Sequence, residues 1–286
     1  MTGIDKTAPS ARPRTVEELT DLVRTAALGP SPDTISVSTA FLTTYGTRHI
    51  GRVHAYRNEI LSLRIGSAVG SCGFEPETDR DHAEVLDECV GAKVSDLLDH
   101  AIPAVRIAAL DGYLMYVHPH PRAAGLVGEP VPVNGPSSLA KSQSRARTVI
   151  DLLPATRVRT VLVIGVVNSL LAQLRQRGMS YIACDAVGGT TEWGEPVLTS
   201  IAEVSQDYDA LLVTGMTLVN GSFDAILRDC AHRGIPLVMF AQSGSAVLPW
   251  FLGEDAVTAI SAEPYPFFAL DGGPSTHFHY RRAESI

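Results

Sequence analysis

The sequence predicts an α/β fold: a Rossmann-like parallel sheet in the C-terminal half, preceded by a smaller α+β domain. Two observations predict it. Short, near-continuous apolar runs, TVLVIG at 160–165, ALLVTG at 210–215 and PLVMFA at 236–241, alternate with helical segments, and such runs are buried on both faces, as in a parallel sheet with helical crossovers. Ahead of them, residues 33–37 and 39–44 alternate polar with apolar or β-branched side chains, the pattern of a half-buried antiparallel meander.

The elements follow in order. Residues 1–14 read as a polar tail before a helix at 16–27 that carries Glu17 and Glu18 in its first turn. The meander occupies 33–56 with a turn at Tyr45-Gly46, and LSLRIGSAVGSCGF at 61–74 fits a strand and a tight loop. Helical signals return at 81–89 and 93–98, and IPAVRIAALDGYLM at 102–115 predicts a buried helix. The stretch 118–137 is rich in proline and glycine, a composition that breaks regular structure and marks a linker. Beyond it the sequence predicts a helix at 138–153, the strand at 160–165, a helix at 168–177 and the strand YIACD ending at Asp185. The strand at 210–215 comes next, then a helix at 222–232, the strand at 236–241, a helix at 247–252 and a last strand AVTAI at 256–260. The expected domains are therefore 15–117 and 138–286, joined by 118–137. A length of 286 residues agrees, since single domains usually run to roughly 100–200 residues.

Composition narrows the function classes. A net charge of −8 disfavours a nucleic-acid partner, which needs a basic face. The N-terminus has no apolar export segment and no later run is long enough to span a membrane, so a cytoplasmic protein with no membrane partner is expected. Cys72, Cys89, Cys184 and Cys230 are widely spaced, the usage of reduced, buried thiols rather than of a zinc ribbon.

In a doubly wound sheet ligands sit beyond the C-terminal strand ends, which nominates the loops after Gly165, Asp185, Gly215 and Ala241. The first carries one glycine where a dinucleotide fingerprint carries three. Asn168 or Ser169 reads as a helix cap, and the functional reading adds free amides aimed at an anion. Asp185 stands where a carboxylate takes ribose hydroxyls, or else it starts a turn. In TGMTLVNGS, Thr214, Gly215, Thr217, Asn220 and Gly221 combine close backbone approach with neutral hydrogen bonds; an Asn-Gly turn leading into a helix capped by Ser222 accounts for 220–222 alone. Gln242, Ser243 and Ser245 in AQSGSAVLP repeat the recipe. The pairs His118/His120 and His277/His279 have spacing that suits a chelate on an extended chain, although solvated loop histidines explain them as well. Cys72, close to three carboxylates, reads as a buried thiol. Glu192, Asp209, Asp224 and His232 are candidate acids or bases with no partner visible in sequence.

The strand–TGMTLVNGS–helix, the AQSGSAVLP loop and the upstream AIPAVRIAALDGYLM helix together resemble the family described as "putative heavy-metal chelation", most specifically at Thr217–Gly221. The resemblance implies a Rossmann-like C-terminal domain behind a domain similar to the enolase N-terminal fold. It also implies a chelating role in which Asp185, Asn220 and an imidazole would be ligands. The family's Gly-Pro-Ser pattern near the second loop is replaced here by Gln242-Ser243-Gly244.

Three functions stay open at this point. One is a protein that binds a small ligand, a divalent metal or a metal chelate at the strand ends. Another is an enzyme of small-molecule metabolism using S-adenosylmethionine or a nucleotide, with Gly165, Asn168, Asp185, Thr214, Gly215, Thr217, Asn220, Gly221 and Ser243 around the cofactor. The third is a structural subunit with a degenerate site. The partner expected is a small molecule, and self-association is left open.

Overall fold

The computed structural model describes residues 12–48, 55–75, 82–154, 157–254, 256–266 and 273–282. Within them, helix α1 (Val16–Arg24) is capped by Thr15, whose hydroxyl accepts the Glu18 amide. A three-stranded antiparallel sheet follows, β1 (Val37–Thr47), β2 (Tyr56–Ile65) and β3 (Ala68–Gly73), in the order β1-β2-β3. Tyr45 and Gly46, expected at a turn, instead pair with Asn58 and Arg57 inside the β1–β2 ladder. Helices α2 (His82–Cys89), α3 (Val94–Leu98) and α4 (Pro103–Val117) come next.

Helix α4 is apolar nearly all round because it is covered on both sides. One side packs on β2 and β3. The approach is so close that a Cβ on Gly70 would lie 2.1 Å from the Gly112 amide nitrogen and 2.2 Å from the Ala108 carbonyl, so glycine is needed at 70 for contact rather than for conformation.

The second sheet has seven strands in the order β4-β10-β9-β8-β7-β5-β6. Its parallel part is β5 (Thr160–Ile164), β6 (Ser180–Cys184), β7 (Ala210–Thr214), β8 (Leu237–Ala241) and β9 (Ala259–Ala262). Helices α5 (Ser138–Ile150), α6 (Asn168–Gln176) and α7 (Phe223–Arg233) connect and cover it. Alternate strand residues enter different cores. Val161, Val163 and Leu212 pack with α5 and α6 residues, while Leu162, Leu211 and Val213 join the core that contains α4 and α7. That two-sided burial explains the unbroken apolar runs. No helix among the described residues is long and apolar enough to cross a membrane.

The sheet is wider than the sequence indicated. Strands β10 (Ser275–Arg281) and β4 (Glu129–Val133) extend it antiparallel beyond β9. β4 lies inside the Pro/Gly-rich stretch 118–137, where Pro130 and Pro132 alternate with Glu129, Val131 and Val133. Alternating prolines put every missing N–H on one side of the strand, which an edge position tolerates. The helix expected at 247–252 is a single 3-10 turn, Leu248–Phe251. The last parallel strand begins at 259 rather than 256, after Thr258, whose hydroxyl accepts the Leu237 amide.

Candidate functional site

Strand β5 is flanked by β6 on one side and β7 on the other, so the chain reverses its direction of winding there and opens a crevice at the strand ends. Over that crevice lies the rim of the three-stranded sheet. The two enclose a cleft of about 1240 Å³ with Gly165, Val166, Val167, Asn168, Asp185 and Thr214 among its floor residues and Leu42, Arg57, Asn58, Ile60 and Phe74 in its roof.

Of the residues nominated from sequence, Gly165, Asn168, Asp185, Thr214, Thr217 and Asn220 line this cleft. Gly165 has φ +87° and lies under Thr214, whose Cγ2 would be 2.4 Å from a Cβ, so packing between two strand ends accounts for this glycine. Asp185 accepts the Val166 amide on Oδ2 at 2.8 Å and the Val187 amide on Oδ1 at 3.1 Å, joining the loops after β5 and β6. Asn168 does not cap α6. The cap position is Val167, and Asn168 Oδ1 accepts the Glu192 amide at 3.2 Å. Ser169 turns away to bond Ser142 of α5.

The two threonines also have local partners. Thr214 Oγ1 accepts the Met216 amide and Thr217 donates to the Thr214 carbonyl, closing a 3-10 turn at Gly215–Leu218. Asn220 Oδ1 accepts both the amide and the hydroxyl of Ser222. Ser222 occupies the cap position of α7 with no side-chain cap bond, which corrects its expected role.

Gly215, Gly221 and Ser243 lie outside the cleft lining. Ser243 Oγ accepts the Gly73 amide at 2.9 Å, and the Gly244 amide donates to the Ser71 carbonyl at 3.0 Å. The loop after β8 therefore binds the outer edge of β3. Asp111 on α4 completes the joint, accepting the Ser71 amide at 2.9 Å and the Ala246 amide at 2.7 Å. Burial raises the Asp111 carboxyl to about 7 despite these two amides. This joint leaves no local pattern in the sequence, because its partners lie far apart along the chain.

None of the four chelate-spaced histidines lines the cleft. His118 bonds the Leu28 carbonyl and His120 bonds Tyr280, so neither is a solvated loop residue. His277 and His279 are buried on β10. His277 bonds Ser261 through Nδ1 at 2.6 Å and places Nε2 3.1 Å from Glu263. Gln242 also donates to Glu263, at 2.9 Å, instead of reaching the cleft. Glu263 was not apparent as a functional candidate, since a single acid after a strand carries no pattern. Glu192, Asp209, Asp224 and His232 stand outside the cleft lining, with Asp209 and Asp224 accepting backbone amides.

The donors present do not suit a soft heavy metal. Such ions take thiolates, yet Cys72, Cys89, Cys184 and Cys230 are all buried on β3, α2, β6 and α7. Burial raises all four thiols: Cys72 well above its ordinary value, Cys89 to about 11, Cys230 to about 12, and Cys184 as well. Among the described residues no group of three or more His, Cys, Asp or Glu side chains is placed to hold a metal ion.

The family model described as "DUF364: Putative heavy-metal chelation" matches residues 148–241. The fold is that of two DUF364 proteins of unknown function. One, from Desulfitobacterium hafniense DCB-2, has a TM-score of 0.56 at 13% identity over 93% of this chain and 99% of its own. The other, from Pyrococcus horikoshii, has a TM-score of 0.53 at 14% identity over 92% and 100%. An enolase-family protein from Agrobacterium tumefaciens is similar over 71% of this chain and 83% of its own at 12% identity, with a TM-score of 0.34. No protein of curated function matches the sequence.

Proposed function

From a chain that matches the DUF364 family over residues 148–241, we propose a protein that binds a small organic ligand, or a metal presented as its organic chelate, in the cleft beneath the three-stranded sheet. One observation carries the reading: the cleft is large, lies at the topological switch point, and is lined mostly by apolar side chains and neutral donors or acceptors such as Asn58, Thr190 and Thr199, with Arg57, Glu59, Glu75 and Asp185 as charged members. The family description supports a link to metal, and the buried thiols support reaching it through a chelating molecule rather than through protein ligands. The division into 15–117, 118–137 and 138–286 belongs to this proposal, with β4 assigned to the sheet of the last part. So does a cytoplasmic location, which the four free cysteines support.

An adenosyl ligand is the second reading. It is favoured by the place of Asp185 at the end of β6, beside the cleft, and weakened by the two amides that its oxygens already accept.

A thermal-shift series separates these readings, because a ligand of the native state raises Tm by mass action. The wild type is compared with Ala186→Trp, which fills the cleft from an exposed lining position. Organic chelators and their metal complexes should raise the wild-type Tm and leave the variant unmoved. Shifts with S-adenosylmethionine alone would favour the second reading, and shifts with bare metal salts that persist in Ala186→Trp would overturn the first.

A further inference from the structure

We infer that the cleft is built to reject phosphate, with Asp185 as the specificity-determining residue, so that its ligand is a phosphate-free, uncharged or cationic organic molecule. This inference rests on the proposed binding role of the cleft.

Sheets of this winding commonly hold anions where the first strand runs into its helix, because glycine-rich loops leave amides free and the helix N-terminus favours negative charge. Here the two amides of the turn itself, between β5 and the start of α6, are already used. The Gly165 amide donates to the Cys184 carbonyl at 2.9 Å and the Val166 amide to Asp185 at 2.8 Å. On the neighbouring loop the Val187 amide donates to the other Asp185 oxygen and the Gly188 amide to the Asp185 carbonyl. Strand register fixes this exchange, since Ile164 lies opposite Cys184 and the next residues are Gly165 and Asp185.

The protein's own carboxylate thus takes loop donors, the Val166 and Val187 amides, that a phosphate at these strand ends would otherwise use. An incoming phosphate would lose those amides and meet a like charge, a combination that disfavours binding on both counts. The remaining charges of the cleft add to this, because among the described residues its lining holds Glu59, Glu75 and Asp185 but a single guanidinium, Arg57. What the floor leaves for a ligand is neutral or apolar, including Val167 and Val187, whose side chains are exposed at the ends of these same two loops.

Calorimetry with sodium pyrophosphate and with ATP tests the inference. The wild type should show no saturable binding to either. Asp185→Ala frees both amides and should bind pyrophosphate at least tenfold more tightly, with Asp185→Asn in between and serving as the folded variant if the alanine form is unstable. Saturable pyrophosphate binding by the wild type that Ala186→Trp abolishes, or exclusion retained by folded Asp185→Asn and Asp185→Ala, would overturn it. The comparison uses no organic ligand. A failure of the thermal-shift series would therefore count against the proposed function without altering this result.

Discussion

Arg145 on α5 holds Glu263, one residue beyond β9, through two parallel hydrogen bonds, Nε to Oε2 at 2.7 Å and Nη2 to Oε1 at 2.9 Å. The carboxylate is 1% exposed and the guanidinium 29%, so the helix layer is joined to the sheet by a charge pair shielded mainly at its acidic end. Removing one partner of such a pair leaves a buried charge uncompensated and costs about 3–5 kcal/mol. Arg145→Ala should lower unfolding stability by about 3 kcal/mol in urea titration, and Glu263→Gln should also destabilise, because either orientation of its amide turns an NH2 towards an Arg145 N–H that the carboxylate accepted.

The same carboxylate sets an acid limit. Burial alone would raise the Glu263 carboxyl, but His277 and Arg145 outweigh it and hold the group far below the usual carboxylate range. A folded-state value below the unfolded one contributes stability that is present above about pH 4.3 and lost as pH falls towards the folded value. Unfolding midpoints measured between pH 5 and pH 3 should fall steeply for the wild type and less steeply for Glu263→Gln.

Asp111 acts in the opposite sense. Its folded value of about 7 lies above the ordinary carboxyl value of 3.8, so the folded state binds the extra proton and this contribution is fully present below the unfolded value. It is lost as pH rises through about 7. Asp111→Asn should flatten the decline in stability between pH 5 and pH 8, read from the same titrations.

Gly70→Ala should be severely destabilising, by at least about 3 kcal/mol, because the added carbon meets backbone atoms of α4 that have no free rotamer to move into. The milder Gly112→Ala, where the first obstacle is the flexible Ile65 Cδ1 at 2.8 Å, should retain more stability. A denaturation series of the two variants checks the order.

Ser243→Ala removes the acceptor of the Gly73 amide and should cost about 1–3 kcal/mol, the penalty for an unsatisfied buried donor. It should also weaken any cleft ligand, since Gly73 and Phe74 border the cleft next to that bond. Calorimetric affinity measured beside stability separates the two effects.

Most of the parallel sheet was legible because burial on both faces leaves a mark within each short segment, as at Val161–Ile164 and Leu211–Val213. The loops that form the cleft floor followed from the strand ends, and so Asn168, Asp185 and Thr214 were nominated together. β4 and β10 were missed since an edge strand with alternating prolines and a strand carrying buried histidines both look like loops. Arg57, Asn58 and Phe74 in the roof escaped notice for a different reason: tertiary contacts, among them the joint through Asp111, Ser71 and Ser243, carry that sheet over the crevice.

The outer edge of β3 shows what that joint does for the isolated molecule. An unpaired strand edge is a template on which another chain can build, the route to ordered aggregation. Ser71 and Gly73 offer their outward groups instead to Asp111, Ser243 and Gly244, which occupy the edge with loop and helix. Anything that pries the loop from this strand would therefore be felt first as a loss of solubility, before the rest of the fold gives way.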